Sequence, residues 1–352
     1  MRSRNTVGLT ALLAVAAGAC SDQSPDVSAP SPVAEVQAVA ATTYAIRKLG
    51  TLGGKQSSAN AINSNGQIVG WSETSSGRTH AFTYQGGVMK DLGALAGGLS
   101  AAYDINDAGT AVGYSTILSG AQRAVRWQNG VTKNLGSLGG RNSQAIAINH
   151  DGVIVGWSDT KSGDTHAFVY KNGVLTDIGT LGGTTSHAWG INDVGKVVGS
   201  STTASGKLHA FVWVNGKFQD LGDHGTQYSV AIAINNGRII GDFGPPPDAE
   251  GGDLELVQAF VIAAGDTTVF HTRLVSTFAH DINPDGIIVG GAEDNRSGYF
   301  DAWVRAPDGT VQNLPELTDG LASAQGINRF GVIVGYSETL DGWPKAVLWR
   351  PR

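Results

Sequence analysis

Three histidines head the same short phrase: His80-Ala-Phe-Thr-Tyr84, His166-Ala-Phe-Val-Tyr170 and His209-Ala-Phe-Val-Trp213. Histidine is the commonest metal ligand, so the recurrence invites a metal reading. Spacing argues against it. If each phrase is a strand of a separate sheet, with strands ~4.8 Å apart, equivalent positions lie on the order of 15 Å from one another. Zinc ligands lie ~2 Å from their metal, so these histidines cannot share one. Arg123, Gln258, Asp301 and Lys345 hold the same place in degenerate copies. The expectation is a hydrogen bond at the start of a strand and no metal.

Other residues invite chemistry and lose it on the same test. Asp281-Ile-Asn283-Pro-Asp285-Gly286 matches the first half of a calcium loop, but Ala292 stands where the twelfth-position Glu belongs. Gly-x-Ser recurs at Ser72, Ser115, Ser158, Ser201 and Ser337. A nucleophile elbow needs a second Gly and a following helix, and one nucleophile has no reason to recur five times. The pairs Gly53-Gly54, Gly97-Gly98, Gly139-Gly140 and Gly182-Gly183 are followed by no helix and no Lys-Ser/Thr, so they are not phosphate loops. They let the backbone pass from one group of strands to the next. No catalytic set and no cofactor are expected.

These residues belong to a repeat, which must position whatever function the chain has. An Ile-Asn pair recurs at Asn63, Asn106, Asn149, Asn192, Asn235, Asn283 and Asn328, in steps of 43, 43, 43, 43, 48 and 45 residues. Each opens a phrase such as Ala147-Ile-Asn-His-Asp-Gly-Val-Ile-Val-Gly-Trp157. Asn-x-x-Gly between apolar runs signals a hairpin, and Asn129-Gly130, Asn172-Gly173 and Asn215-Gly216 mark a second one. A third phrase, Asp91-Leu-Gly93 or Asp177-Ile-Gly179, closes most units. Four short strands in a repeat of this length predict an all-β, seven-bladed β-propeller of four-stranded antiparallel blades over residues 44–352. The seventh unit ends at Lys345-Ala-Val-Leu-Trp349 without its closing strand. Tyr44-Ala-Ile-Arg-Lys-Leu-Gly-Thr-Leu-Gly-Gly54 matches the closing segment of other units, so the N-terminal strand is expected to complete the last blade. A right-handed β-helix is the structural alternative; a linear array needs capping repeats instead.

The phrases Ile-Asn-x-x-Gly-x-Ile-Val-Gly, His-Ala-Phe-x-Trp/Tyr and Asp-Leu-Gly-Thr-Leu-Gly-Gly resemble the bacterial HAF repeat family, named for its His-Ala-Phe triplet. The likeness covers residues 44–352 and is sharpest in the first, third and fourth units. It implies an exported repeat protein and implies no mechanism, since the family has no established activity.

The N-terminus agrees with export. Arg2 and Arg4 precede an apolar run from Val7 to Ala19, too short to span a bilayer but suited to a signal-peptide core. Ala17-Gly18-Ala19-Cys20 resembles a bacterial lipobox, with Ala17 where Leu is usual. By that resemblance residues 1–19 are removed, Cys20 is lipidated, and Ser21 permits transport to an outer membrane or cell surface. Cys20 is the only cysteine, so no disulfide is expected. Residues 20–43, rich in Ser, Pro and Ala, read as a tether. Glycine (50 of 352) is about twice its usual share and charged residues, at 15%, fall well below theirs, as turns and short strands require. The net charge of −6, without a basic cluster, argues against nucleic acid.

Where the repeat breaks, function has room. The fifth unit carries an acidic, proline-rich segment from Asp242 to Glu255, with Asp248 and Glu250. Connections assigned to the same face bear Arg141, His187, His224, Tyr228 and Arg273. Loops on a rigid scaffold commonly carry binding. The expected function is a monomeric, lipid-anchored binding or interaction module at the cell envelope, presenting these residues to a glycan, peptide or envelope protein. The alternatives are an extracellular polysaccharide hydrolase or lyase with its site on the axis, and a purely structural envelope protein.

Overall fold

The computed structural model describes residues 42–96, 98–244, 257–270, 276–293 and 300–352. Cys20, Asp248, Glu250 and Arg273 lie outside the described residues. Every regular element among the described residues is a β-strand.

The third repeat unit shows how the phrases fold. Strands Gly139–Ile148, Ile154–Thr160, Thr165–Lys171 and Val174–Gly179 pair antiparallel in sequence order. The Asn-x-x-Gly phrase makes the first turn: Asn149 Oδ1 accepts the Val153 N–H at 2.9 Å, and Gly152 takes φ +78°. Asn172 and Gly173 both hold positive φ in the second hairpin, as its right-handed strands require. The glycine of Ile-Val-Gly has a different reason. A Cβ built at Gly156 would lie 2.0 Å from the Gln144 carbonyl oxygen, so no larger residue fits against the neighbouring strand.

The same meander recurs along the chain, making an all-β propeller of four-stranded antiparallel blades. Five of these blades stand as separate four-stranded sheets, which corrects the expectation of seven separate ones. The other eight strands, from the third and fourth units, form one eight-stranded sheet. The fusion rests on one local contact: the backbones of Thr165 and Thr185 come close enough to pair in parallel. Tyr44–Gly50 lies antiparallel to Pro344–Pro351, at the edge of the sheet that contains Ile333–Glu338 and Ala322–Ile327.

The apolar core lies between units rather than inside them. Phe168, the Phe of one His-Ala-Phe phrase, packs in one cluster with Val112 and Ala124 of the unit before it. Phe211 packs likewise with Val155 and Ala167, and Phe260 with Val198 and Ala210. Phe82, in the first unit, packs with Val334, Ala346 and Leu348 of the last. Each Phe is fully buried, contributing about 1.5–3 kcal/mol by removal from water. Buried serines tie the same seams: Ser143 Oγ accepts the Ala124 N–H at 2.9 Å and donates to the Gly136 carbonyl at 2.6 Å.

A second set of bonds runs around the axis. Asn63 Nδ2 donates to the Asn106 carbonyl at 3.0 Å, Asn106 to Asn149 at 3.2 Å, and Asn149 to Asn192 at 3.2 Å. Farther on, Asn235 donates to the Ile282 carbonyl, Asn283 to Asn328, and Asn328 back to Asn63 at 3.2 Å. Asn328 Oδ1 also accepts the N–H groups of Phe330 and Val332. Asn328→Ala therefore strands several buried polar groups, each worth about 1–3 kcal/mol. We expect urea unfolding to show that loss, while Asn65→Ala, at an exposed side chain of the same kind of turn, stays within about 0.5 kcal/mol of wild type.

Candidate functional site

The histidines that opened the sequence argument are paired within their own units. His80 Nδ1 lies 2.7 Å from Asp91 Oδ2, His166 Nδ1 2.8 Å from Asp177 Oδ2, and His209 Nδ1 3.0 Å from Asp220. The other oxygen of each Asp caps the following glycine N–H, so the His-Ala-Phe and Asp-Leu-Gly phrases are clasped together. Ser72 sits opposite His80 in register, which superficially gives a Ser, His and Asp in one blade. Its hydroxyl is fully buried, accepts the Leu52 N–H and donates to the Glu73 carbonyl, so it is not available as a nucleophile. No group of three or more His, Cys, Asp or Glu residues among the described residues could hold a metal. In the calcium-like loop, Asn283 Oδ1 accepts the N–H groups of Asp285 and Ile287, and both Asp281 oxygens accept backbone N–H groups.

The face residues expected from sequence go to different places. Arg141 is exposed, and its carbonyl accepts the Arg123 guanidinium. His224, exposed at φ +51°, stands with its ring 4.8 Å from that of Phe243. Tyr228 is partly buried against Gly244, where a Cβ would meet its ring at 2.5 Å. His187 alone of these lines a cavity of about 850 Å³ on the axis.

That cavity is built by one device repeated. In the first strand of every unit the pairing register slips by one residue, for example between Ala59 and Ala61 or between Ala188 and Gly190. The slipped residues are Asn60, Tyr103, Ile146, Trp189, Ile232, His280 and Gln325. All seven line the cavity. A bulge leaves its extra residue without a ladder partner and re-aims its side chain. Around them stand Trp71, Trp157 and Gln144. The His187 ring lies parallel to that of Trp189 at 5.4 Å and edge-on to Trp157 at 5.7 Å, and Trp189 Nε1 donates to Ser200 Oγ.

Two carboxyls complete the wall. Asp104 accepts the N–H groups of Ile105 at 2.7 Å and Ile148 at 2.8 Å; Asp281 accepts those of Ile282 and Ile327 at 2.8 and 2.9 Å. Each thereby bridges its own unit to the next, at a position where the other units have Ala or Gly. Burial pushes Asp104 up to about 6. Burial, together with the charge of Asp104, pushes Asp281 up to about 7. Burial keeps the rings of His187 and His280 toward their neutral forms. His280 Nδ1 is 2.8 Å from the Ala324 carbonyl, so the neutral ring donates there and leaves Nε2 as an acceptor. No Lys or Arg is among the described residues lining the cavity.

The cavity position could have been found in the sequence. Three residues before each repeated Asn, the chain reads Asn, Tyr, Ile, Trp, Ile, His and Gln, while the position before it is Ala in all seven units.

No protein-family model and no curated protein matches the chain. Among solved structures, it is similar to the β-propeller domain of the Trilobed protease from Pyrococcus furiosus. The TM-score is 0.56 at 10% identity, covering 85% of this chain and 94% of that one. It is also similar to an acylaminoacyl peptidase from Pyrococcus horikoshii (TM-score 0.55, 12% identity, 86% and 52% covered). A puromycin-hydrolyzing peptidase from Mycobacterium tuberculosis gives 0.53 at 11% identity, with 87% and 54% covered. The chain thus spans about half the length of either peptidase. These likenesses establish the propeller fold.

The raised carboxyls couple stability to pH. A carboxyl whose folded pKa exceeds its unfolded value stabilises the fold fully below the unfolded value, about 4, and loses that contribution as pH rises through the folded one. Asp242, buried and accepting the Ala279 N–H, is pushed up by burial to about 8 and acts in the same direction. We expect the melting temperature, followed by circular dichroism, to fall between pH 5 and pH 9. The double variant Asp104→Asn/Asp281→Asn should show a flatter profile. A melting temperature that climbs over this interval contradicts the assignment.

Proposed function

We propose that this chain is an exported, lipid-anchored binding module of the HAF-repeat kind, whose ligand site is the axial cavity. One observation carries the reading. In a chain that repeats its turns, core residues and clasps, seven bulges aim seven side chains of six different types into one cavity. A purely structural protein has no need for that variety, since the bulged residues take no part in the sheet ladder.

The eight-stranded sheet is read as two blades, giving a ring of seven with the last blade finished by Tyr44–Gly50. Support comes from the bond of Asn328 to the Asn63 carbonyl, and from the cluster joining Phe82 to Val334, Ala346 and Leu348. Arg141, His224 and Tyr228 are assigned to the approach of the ligand, secondary to the cavity; Arg273, Asp248 and Glu250, outside the described residues, are proposed for the same role from the sequence alone.

A second reading, an extracellular polysaccharide hydrolase or lyase, draws on Asp104 and Asp281, two carboxyls with raised pKa facing one cavity. All four oxygens accept backbone N–H groups, however, which suits struts between units better than groups that must exchange protons with a substrate.

Two measurements test the proposal. Palmitate labelling is expected for the full chain and lost in Cys20→Ser; labelling that survives the substitution removes the anchor. On a glycan and peptide array, Trp157→Ala is expected to abolish the binding shown by the wild type. If deletion of residues 245–256 abolishes it instead and Trp157→Ala does not, the site lies on the loop face.

A further inference from the structure

We infer that the axial cavity takes a neutral saccharide; the inference rests on the axial-binding reading above and adds the class of ligand. The volume of about 850 Å³ is that of a small-molecule site. Three indole rings reach it, Trp71 from the first unit and Trp157 and Trp189 from the third and fourth. Such rings offer a flat apolar body with a polar edge, suited to a ligand that has C–H surface on one side and hydroxyls around its rim.

Amides stand among the polar groups of the lining. Gln144 and Gln325 are planar amides, each spending an amide hydrogen on a neighbour: Gln144 Nε2 donates to Gln122 Oε1, and Gln325 Nε2 to Ser323 Oγ at 2.9 Å. Their carbonyl oxygens and remaining N–H bonds stay in place to accept and donate side by side. A pair of adjacent hydroxyls presents the complementary pattern, each donating once and accepting twice. The backbone bonds to Asp104 and Asp281 leave their second lone pairs as further acceptors in fixed positions.

Charge then separates the classes of ligand. A phosphate, uronate or nucleotide would enter a cavity with two carboxyls and, among the described residues, no lining Lys or Arg, so anionic ligands are opposed. An organic cation would find carboxyls to face, but would leave the amides and the His280 Nε2 acceptor unpaired in a desolvated site, at a cost. A neutral polyol uses the rings, the amides and the acceptors together.

The test is tryptophan fluorescence of the full chain, titrated with neutral mono- and disaccharides of the gluco, galacto, manno and N-acetylglucosamine series, and with tetramethylammonium chloride. At least one saccharide should change the fluorescence saturably, with an affinity that drops at least about tenfold in Trp189→Ala and in Gln144→Leu, more than 1 kcal/mol for each contact. The second variant keeps the test decisive should the first unfold. If tetramethylammonium alone saturates and its binding is lost in the same variants, the axial site stands and the saccharide class is overturned. If neither variant changes the binding of any probe, both the class and the axial site are overturned.

Discussion

The rest of the structure depends on an amide handed from one unit to the next. Five of the seven repeated asparagines spend the side-chain oxygen on their own turn and the side-chain nitrogen on the backbone of the following unit, as Asn149 does with Val153 and Asn192. The turn and the seam are therefore fixed by one residue. An Asp there keeps the oxygen and loses the donor; a Ser or Gly keeps the turn and cannot reach the neighbour. The bond from Asn328 to Asn63 carries the same arrangement across 265 residues of chain.

Much of this was legible because the repeat is also a repeat of physical tasks. Asn-x-x-Gly and Asn-Gly announced hairpins, and the positive φ values at Asn172, Gly173 and Gly152 are what those dipeptides require. The His-Ala-Phe and Asp-Leu-Gly phrases were read as scaffold, and the His166–Asp177 contact gives them that role. Separation into blades was harder to read. Whether two sheets stay distinct turns on the approach of two backbones, Thr165 and Thr185, and neither residue type announces it.

The site was hidden for another reason. Attention to the loops followed from where the repeat visibly breaks, at the insertion of the fifth unit. The cavity instead varies at positions inside a regular strand, and a bulge is invisible in a sequence whose apolar alternation continues on either side. Only the register, slipping between Ala145 and Ala147 and at its equivalents, reveals that Ile146 and its counterparts belong to the axis rather than to the sheet. The carboxyls were partly visible: Asp281 drew notice as a calcium ligand, and it became a strut between units.

The bulge has a bearing on how such a protein can change over time. A residue without a ladder partner can be replaced without disturbing the pairing on either side, so most bulged positions, Asn60 and His280 with their bonds to the next unit excepted, are released from the demands that hold turn, seam and core constant. Such positions on one axis amount to a surface that can be rewritten one side chain at a time. A lineage could drift from one ligand to another while its scaffold stayed the same, and duplicated copies of the chain could diverge in taste before they diverged in shape.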